Sequence, residues 1–256
     1  MFHLTETEPT RFDWRFRLFG TSVRVHPLFW ILPLLLAGDA RGAWRVLFWV
    51  AVVLVSILVH EFGHILAMRL FGDDGYIVLG GYGGLAISPS ARHQRYWSND
   101  VFVSAAGPLA GMLFACAIAG FGIQLGGTSH IFFGSIGIPH WYIDFSRVRL
   151  TDGNIHARLY LYEAINNLLF VNFYWSLINL LPVYPLDGGQ ILHACLGHRS
   201  GTSGRTRALQ ISIGVAAGIA ALAFVSGQMH LVYMFGFLAA GTVQALYGRQ
   251  TPCNDG

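Results

Sequence analysis

The sequence predicts an all-α polytopic membrane protein with about six transmembrane helices and a small glycine-rich β-hairpin or re-entrant loop. Of its 256 residues, 54% are hydrophobic and only 11% are charged, whereas an ordinary soluble domain has about 25% charged residues. The apolar residues are also grouped into stretches that approach the roughly 20 residues needed to cross a bilayer core. Composition and grouping together therefore predict a protein embedded in a lipid bilayer.

Six apolar stretches are predicted to cross or enter the membrane. Shorter or proline-interrupted stretches are expected to be kinked or partly re-entrant helices. The six comprise residues 27–36 with their flanks, 44–71, 100–123, 159–181 continuing brokenly into 188–196, 208–226 and 229–247. The predicted organisation is an N-terminal cytoplasmic segment (residues 1–25), a single membrane-embedded domain (26–248) and a C-terminal tail (249–256).

The basic residues orient the chain. All 16 are arginine, and an even number of spans places both termini on one side of the membrane. Eleven of these arginines then lie on the side of the termini and five on the opposite side, which predicts cytoplasmic termini in the cell (plasma) membrane. The arginines form no basic run, so nucleic-acid binding is not expected.

The clearest chemical pattern is an H-E-x-x-H motif that begins at His60, directly after the almost uninterrupted apolar run 47–59. On a helix, His60 and His64 share one face because they lie four residues apart, so both imidazoles can bind one metal ion. Glu61 is rotated away from that face, where it does not ligate but can act on a water molecule. The pattern predicts one Zn²⁺ per chain and hydrolysis inside a membrane.

A catalytic zinc site generally has three protein ligands, and Asp187 is the candidate for the third. It follows Pro182 and Pro185, which break the helix at membrane depth. Such a break is tolerated only where the chain is buried in protein or lines a wet cavity. From the residues alone, a helix N-cap ahead of Gly188 is an equally good explanation of Asp187, and the two roles are compatible.

The segment 76–87 connects the second and third predicted spans. It is β-prone at both ends and rich in glycine in the middle, which favours a β-hairpin, with a flexible loop as the alternative. If it is a hairpin, its edge is available to pair with an extended substrate by strand addition.

The two metal motifs together resemble the site-2 protease family of intramembrane zinc metalloproteases. The chain has H-E-x-x-H in a predicted transmembrane helix and Asn-x-x-Pro-x-x-Pro-x-Asp-Gly at residues 179–188. The resemblance covers roughly residues 16–200 and includes the segments 19–20, 25–27, 80–81 and 106–110. One departure is Gly111, which stands where many members have asparagine and instead offers close helix packing.

The resemblance implies a role for each matching residue. His60, His64 and Asp187 correspond to the zinc ligands, and Glu61 corresponds to the catalytic glutamate. Asn179 corresponds to an asparagine near the substrate. The alternative is that Asn179 makes an interhelical hydrogen bond, alongside Asn172 and Ser176 on the same helical face. Gly80 and Gly81 in the glycine-rich loop are the further candidates for substrate binding.

The implied activity is that of a zinc-dependent intramembrane endopeptidase. Its expected substrate is a single-span membrane protein or a signal-peptide remnant, cut within or beside the transmembrane segment. One alternative is a catalytically silent zinc-binding membrane scaffold, which retention of Glu61 argues against. A second is a metal transporter, which the scarcity of ionisable residues in the other predicted helices argues against.

Overall fold

The structure is a computed structural model that describes residues 7–37, 42–81, 83–89, 96–133, 139–146, 148 and 155–247. Within these ranges the chain is mostly helical, with two small sheets. The helices are α1 (Ile31–Leu36), which follows a 3₁₀ turn at Pro27–Trp30, α2 (Ala43–Leu70), α3 (Trp97–Gln124), α4 (Ile155–Asn179), α5 (Asp187–Val225) and α6 (Met229–Tyr247). The strands are β1 (Trp14–Leu18), β2 (Thr21–Val25), β3 (Tyr76–Gly80), β4 (Gly83–Ile87), β5 (Thr128–Phe133) and β6 (Pro139–Asp144).

Four of these helices, α2, α3, α5 and α6, are long and apolar enough to cross a membrane. The mostly helical class is therefore confirmed, whereas the count of six spans is not. Residues 27–36, the first predicted span, form the 3₁₀ turn and α1, and a helix of six residues extends only about 9 Å. Helix α4 has 25 residues but falls outside the four that meet both the length and the hydropathy needed to span.

Helix α2 carries the H-E-x-x-H motif on 28 continuous residues. It is rich in Leu, Ile, Val and Ala, and at about 1.5 Å per residue it is longer than a bilayer core of about 30 Å. The helix ends at Leu70, and the turn after it contains Gly72, whose positive φ of 74° suits a residue without a Cβ. There the amide of Asp73 donates to the carbonyl of Met68 at 3.1 Å, so the sharp end turns the chain into β3.

The strands β1 to β4 form a four-stranded sheet in the order β1-β2-β3-β4. The hairpin predicted for residues 76–87 is confirmed: β3 and β4 pair antiparallel, with Val78 opposite Leu85. Strand β2 pairs in parallel with β3, and β1 pairs antiparallel with β2. No strand is predicted from the sequence within residues 1–25, yet this segment supplies half of the sheet. Strand β4 is left as one of its two edges.

A buried ion pair fastens the start of the described chain to the sheet. Arg24 in β2 donates to a carboxylate oxygen of Asp13 at 3.0 Å and to the carbonyl of Thr7 at 2.8 Å. The hydroxyl of Thr10 donates to the other Asp13 oxygen at 2.6 Å. Burial alone raises the pKa of Asp13, but the hydrogen bonds from Thr10 and Arg24 and the Arg24 charge outweigh it and hold that pKa well below its usual range.

The described residues divide into two compact units, one from residues 1–90 and 106–177 and the other from 91–105 and 178–256. In the first, α3 and α4 pack against β6 through a core formed by Ala115, Ala119, Ile143, Ile165 and Leu169. Strands β5 and β6 form an antiparallel hairpin within the long loop predicted between the third and fourth spans. Many of its aromatic side chains are exposed.

The second unit contains the long helix α5 and the helix α6. Helix α5 is interrupted at Ser200 and Gly201, and Gly201 has a φ of 56°, a left-handed conformation that glycine adopts without strain. This break lies within the loop predicted between two spans. Val183, Ala216 and Phe235 form the buried centre of the packing between the chain before α5, α5 itself and α6.

Candidate metal centre

His60 and His64 are brought together on one face of α2, as their spacing predicts. Their Nε2 atoms are 3.2 Å apart, and the side chains are buried, with His60 3% and His64 7% exposed. Two nitrogens that each lie 2.0–2.1 Å from a tetrahedral zinc are about 3.3–3.4 Å apart by simple trigonometry. The histidine pair therefore has the separation that a zinc ion requires.

Glu61 completes the only metal-binding cluster found in the described parts of the chain. One potential ligand atom from each of His60, Glu61 and His64 lies within 4.8 Å of the others. Glu61 is 4% exposed and lies directly against strand β4. A Cβ built on Gly84 would be only 2.6 Å from the Glu61 carboxyl carbon, so the absence of a side chain at residue 84 makes room for the carboxylate.

Helix α3 covers the histidines through small residues. A Cβ added to Gly63, between the two histidines, would lie 2.7 Å from the Cβ of Ala110, so α2 and α3 are in close contact there. A Cβ on Gly107 would overlap the His64 ring and lie 2.8 Å from His60 Nε2. Gly107 therefore leaves the space that the paired nitrogens occupy, and the donor set and this cradle together fit a zinc ion.

The sheet is fastened to α2 next to the motif. Arg69 donates to the carbonyl of Phe19 at 3.2 Å and to the hydroxyl of Thr21 at 2.9 Å. The Phe19 ring meets Phe62, inside the H-E-x-x-H motif, edge to face at a centroid distance of 5.7 Å. These contacts hold the sheet, and with it β4, at a defined place beside Glu61.

A hydrogen bond from α4 holds α2 one turn before His60. The Asn172 amide donates to the Ser56 hydroxyl at 2.9 Å across 116 residues of sequence, and Ser56 in turn donates to the carbonyl of Val52 at 2.8 Å. Both side chains are 1% exposed. Because a buried hydrogen bond resists sliding of the two helices, it positions the turn on which His60 lies.

The remaining predicted ligand, Asp187, belongs to the second unit. It is 6% exposed and is the first residue of α5, while Leu186 occupies the N-cap position. The N-cap explanation of Asp187 is therefore wrong by one residue, although a carboxylate in the first turn is still favoured by the helix dipole. Asn179, 8% exposed, is the last residue of α4. The roles of both residues at the metal stay predictions.

The structure places Gly80 and Gly81 at the β3–β4 turn. A Cβ on Gly80 would lie 2.7 Å from the Thr7 hydroxyl, and one on Gly81 would lie 3.5 Å from the Cβ of Leu28. The glycine that meets Glu61 is instead Gly84, in the same glycine-rich segment. Composition predicts the hairpin, but only the register of β3 with β4 shows which glycine contacts Glu61.

Comparison with known proteins decides the family. The sequence profile of peptidase family M50 matches residues 48–223, well over half of the chain, and this range includes both metal motifs. The chain belongs to peptidase family M50. In this M50 chain, the family match accordingly places His60, Glu61 and Asp187 inside one shared sequence region.

A curated sequence and a solved structure, both from Methanocaldococcus jannaschii, are similar to this M50 chain. One, named a zinc metalloprotease, is 25% identical over 222 residues, which are 85% of this chain and 55% of that protein. The chain thus spans about half the length of this curated relative. The other is a solved structure of a site-2 protease, matched with a TM-score of 0.56 and 21% identity over 92% of this chain and 95% of that one. The second likeness shows that the fold is shared.

Proposed function

We propose that this M50 chain is an intramembrane zinc metalloprotease that hydrolyses a peptide bond within or beside the transmembrane segment of a membrane-anchored protein. The observation that carries the proposal is the buried cluster on α2, where the two histidine nitrogens are 3.2 Å apart and Glu61 lies beside them. The cluster is on an apolar helix long enough to span a bilayer, which is an unusual place for three ionisable side chains unless they have a function.

The proposed zinc ligands are His60, His64 and Asp187. A zinc ion bound there would supply Lewis acidity toward the scissile carbonyl and would lower the pKa of water at the site toward about 7. Asp187 is supported by its burial and by its place at the start of α5, directly after the proline-containing break. The chemistry of the set, two imidazoles and one carboxylate, is typical of catalytic rather than structural zinc sites.

Glu61 is the proposed general base. Its carboxylate takes a proton from the attacking water and later gives it to the departing amine nitrogen, so the two transfers leave Glu61 unchanged. Contact with Gly84 on β4 limits where this carboxylate can lie. Asn179 is proposed to hydrogen-bond the substrate backbone or the oxygen that becomes negatively charged.

The substrate is proposed to bind as an added strand at the β3–β4 hairpin, with Gly80 and Gly81 among its contacts. A peptide in a helix keeps its backbone groups inside the hydrogen-bonded cylinder, so it must be extended before cleavage. Strand β4 is an edge of the sheet and passes Glu61 at Gly84, so a strand paired there would run beside the base. Ile87→Pro should therefore lower cleavage while leaving zinc content unchanged, and unaltered cleavage would contradict this binding mode.

The membrane arrangement is likewise a proposal. The six predicted segments are retained, with α1 as a partial span and α4 as a span that is less apolar than its neighbours because it carries polar residues such as Asn172 and Ser176. Eleven of the 16 arginines then support cytoplasmic termini in the plasma membrane. The whole of residues 26–248 is proposed to act as a single membrane-embedded domain, and the substrate is proposed to be a single-span protein or a signal-peptide remnant.

The decisive experiment compares the wild type with Glu61→Gln on a panel of single-span reporter substrates in proteoliposomes. Cleavage should fall by about 10²–10⁴-fold, the usual contribution of a general base, while zinc content stays equal. Glu163→Gln is the matched control, since Glu163 is a half-exposed carboxylate of α4 that lies 3.8 Å from Arg45. This control should cleave like the wild type.

Two outcomes would contradict the proposal in different ways. Equal cleavage by the wild type and Glu61→Gln would show that Glu61 is not the base. Retention of zinc without cleavage of any reporter by the wild type would instead favour the catalytically silent scaffold.

A further inference from the structure

A second polar cluster lies in the first unit, one helical turn before the histidine pair. It consists of Ser56 on α2 and of Asn172 and Ser176 on α4, which are between 0% and 1% exposed. Ser56 and His60 are four residues apart and therefore share a face of α2. The proposed reaction uses none of these three side chains.

The orientation of the Asn172 amide is determined by its neighbours. Its nitrogen donates to the carbonyl of Leu168 at 2.8 Å and to the Ser56 hydroxyl at 2.9 Å. Both partners are acceptors, since the Ser56 proton is given to the carbonyl of Val52. The amide oxygen must therefore point away from Ser56. It is fully buried and accepts no hydrogen bond from any residue that the structure describes.

The Ser176 hydroxyl is also buried without a hydrogen-bond partner among the described residues, unlike the hydroxyls of Ser56 and Ser212. Ser56 and Ser212 each donate to the carbonyl four residues earlier, at 2.8–2.9 Å. Ser176 makes no such bond, and its buried oxygen has no hydrogen-bond partner within the described ranges. It faces α3 instead, where a Cβ on Gly111 would lie 2.5 Å from it. Gly111 thus leaves the hydroxyl free to turn away from its own helix.

Asn172 and Ser176 are four residues apart, so their side chains project from the same face of α4 with about 5–6 Å between the Cβ atoms. A buried polar atom without a partner destabilises the folded state, and two together call for a shared partner. One water molecule can donate to the amide oxygen and accept from the hydroxyl, which meets the minimum of two polar partners for buried water.

We propose that Asn172 and Ser176 form a binding site for one buried water molecule between α2, α3 and α4, one helical turn from His60. The site is specific for a small neutral molecule, because it offers one acceptor and one hydroxyl and contains no charge. On α3, Gly111 beside Ser176 and Gly107 beside the histidines also lie one turn apart. The water site is therefore the next layer of the same three-helix packing that forms the metal centre, in a protein whose proposed reaction consumes water.

The direct test is an experimental structure of the full wild-type chain at a resolution that shows ordered water. Density is expected at hydrogen-bond distance, about 2.7–3.2 Å, from both Asn172 Oδ1 and Ser176 Oγ. This measurement depends neither on proteolysis nor on bound zinc, so its outcome is separate from that of the proposed function. The proposal would be overturned if the wild-type density showed only protein atoms, and no water, next to both oxygens.

Thermal unfolding of Ser176→Ala gives an independent test. If water is bound, the variant lacks one of the two side chains that hold the water. The melting temperature should therefore fall by about 2–4 °C, the shift that roughly 1 kcal/mol causes in a chain of this size. Ser212→Ala is the matched control, because that buried hydroxyl donates only to its own helix and should shift the melting temperature less. A rise in the melting temperature of Ser176→Ala would overturn the proposal, since removing an unsatisfied hydroxyl is stabilising.

Discussion

His60, Glu61 and His64 occupy adjacent turns of an unbroken helix, whereas Asn179 and Asp187 flank a non-helical stretch that contains Pro182 and Pro185. The first segment places its side chains by helical periodicity alone. The second has no helical periodicity to hold its irregular path. A hydrogen bond from the hydroxyl of Thr242 on α6 to the carbonyl of Tyr184, at 2.7 Å, stabilises that path instead.

The glycines near the two segments show the same contrast. Around the first segment, Gly84 and Gly107 lie against side chains, those of Glu61 and of the two histidines. Around the second, Gly188 and Gly189 lie against the main chain of residues 180–184. Side chains can move without unfolding a protein, but backbone atoms move only with their whole segment. Added methyl groups should therefore impair chemistry at Gly84 and Gly107 and stability at Gly188 and Gly189, while one at Gly63 would meet the main chain of Ala106.

The largest effect is expected for Gly107→Ala. Its methyl group would overlap the His64 ring and lie 2.8 Å from His60 Nε2, so both imidazoles must turn. Zinc affinity should fall by at least roughly 10–100-fold, the range seen when a residue that orients a ligand is changed, and cleavage should fall with it. Zinc titration of the purified protein measures this. Gly120→Ala on the same helix is the control, as its methyl group would have no atom within 4 Å.

Gly84→Ala should impair the proposed general base, Glu61, without changing zinc binding. A methyl group 2.6 Å from the Glu61 carboxyl carbon must displace the carboxylate, and a misplacement of about 1 Å commonly costs about 100-fold in rate. Zinc content should stay at the wild-type level because the three atoms nearest to the methyl group all belong to Glu61. Cleavage kinetics alongside metal analysis test this, and simultaneous loss of zinc would show that β4 also shapes the metal site.

Gly189→Ala should act on stability. Its methyl group would lie 2.5 Å from the carbonyl carbon of Val183, and overpacking of this kind typically costs about 1–3 kcal/mol. Chemical denaturation should show a lower free energy of unfolding. Gly214→Ala in the same helix is the control, because its methyl group would have no atom within 4 Å. It should cause no loss of stability, since alanine favours a helix. An unchanged stability for Gly189→Ala would break the contrast between the two segments.

The smallest effect is expected at Asp13, which belongs to neither segment. Because the pKa of Asp13 is lowered in the folded chain, its contribution to stability is fully present above the unfolded pKa of about 3.9 and is lost as pH falls toward the folded pKa. Asp13→Asn should therefore lower the melting temperature at neutral pH, and its difference from wild type should shrink below about pH 4. A difference independent of pH would mean that charge is not involved.

Much of the candidate centre could be predicted from the sequence because it depends on local geometry. Two histidines four residues apart in an apolar helix meet on one face whatever surrounds them, and the Nε2 separation of 3.2 Å agrees. The β3–β4 hairpin is also local, since glycine-rich residues join two short β-prone runs. The start of α5 could be predicted less well, because an N-cap shifted by one residue looks the same in composition.

What only the tertiary structure decided are the contacts between residues distant in the chain. Strand β2 pairs with β3 across about fifty residues, which no periodicity within 14–25 indicates. The contact of Gly84 with Glu61 depends on how the sheet lies on α2, and the bond from Asn172 to Ser56 spans 116 residues. Local spacing determines which side chains share a face of one helix, but the partner of that face depends on packing, which sums interactions over the whole chain.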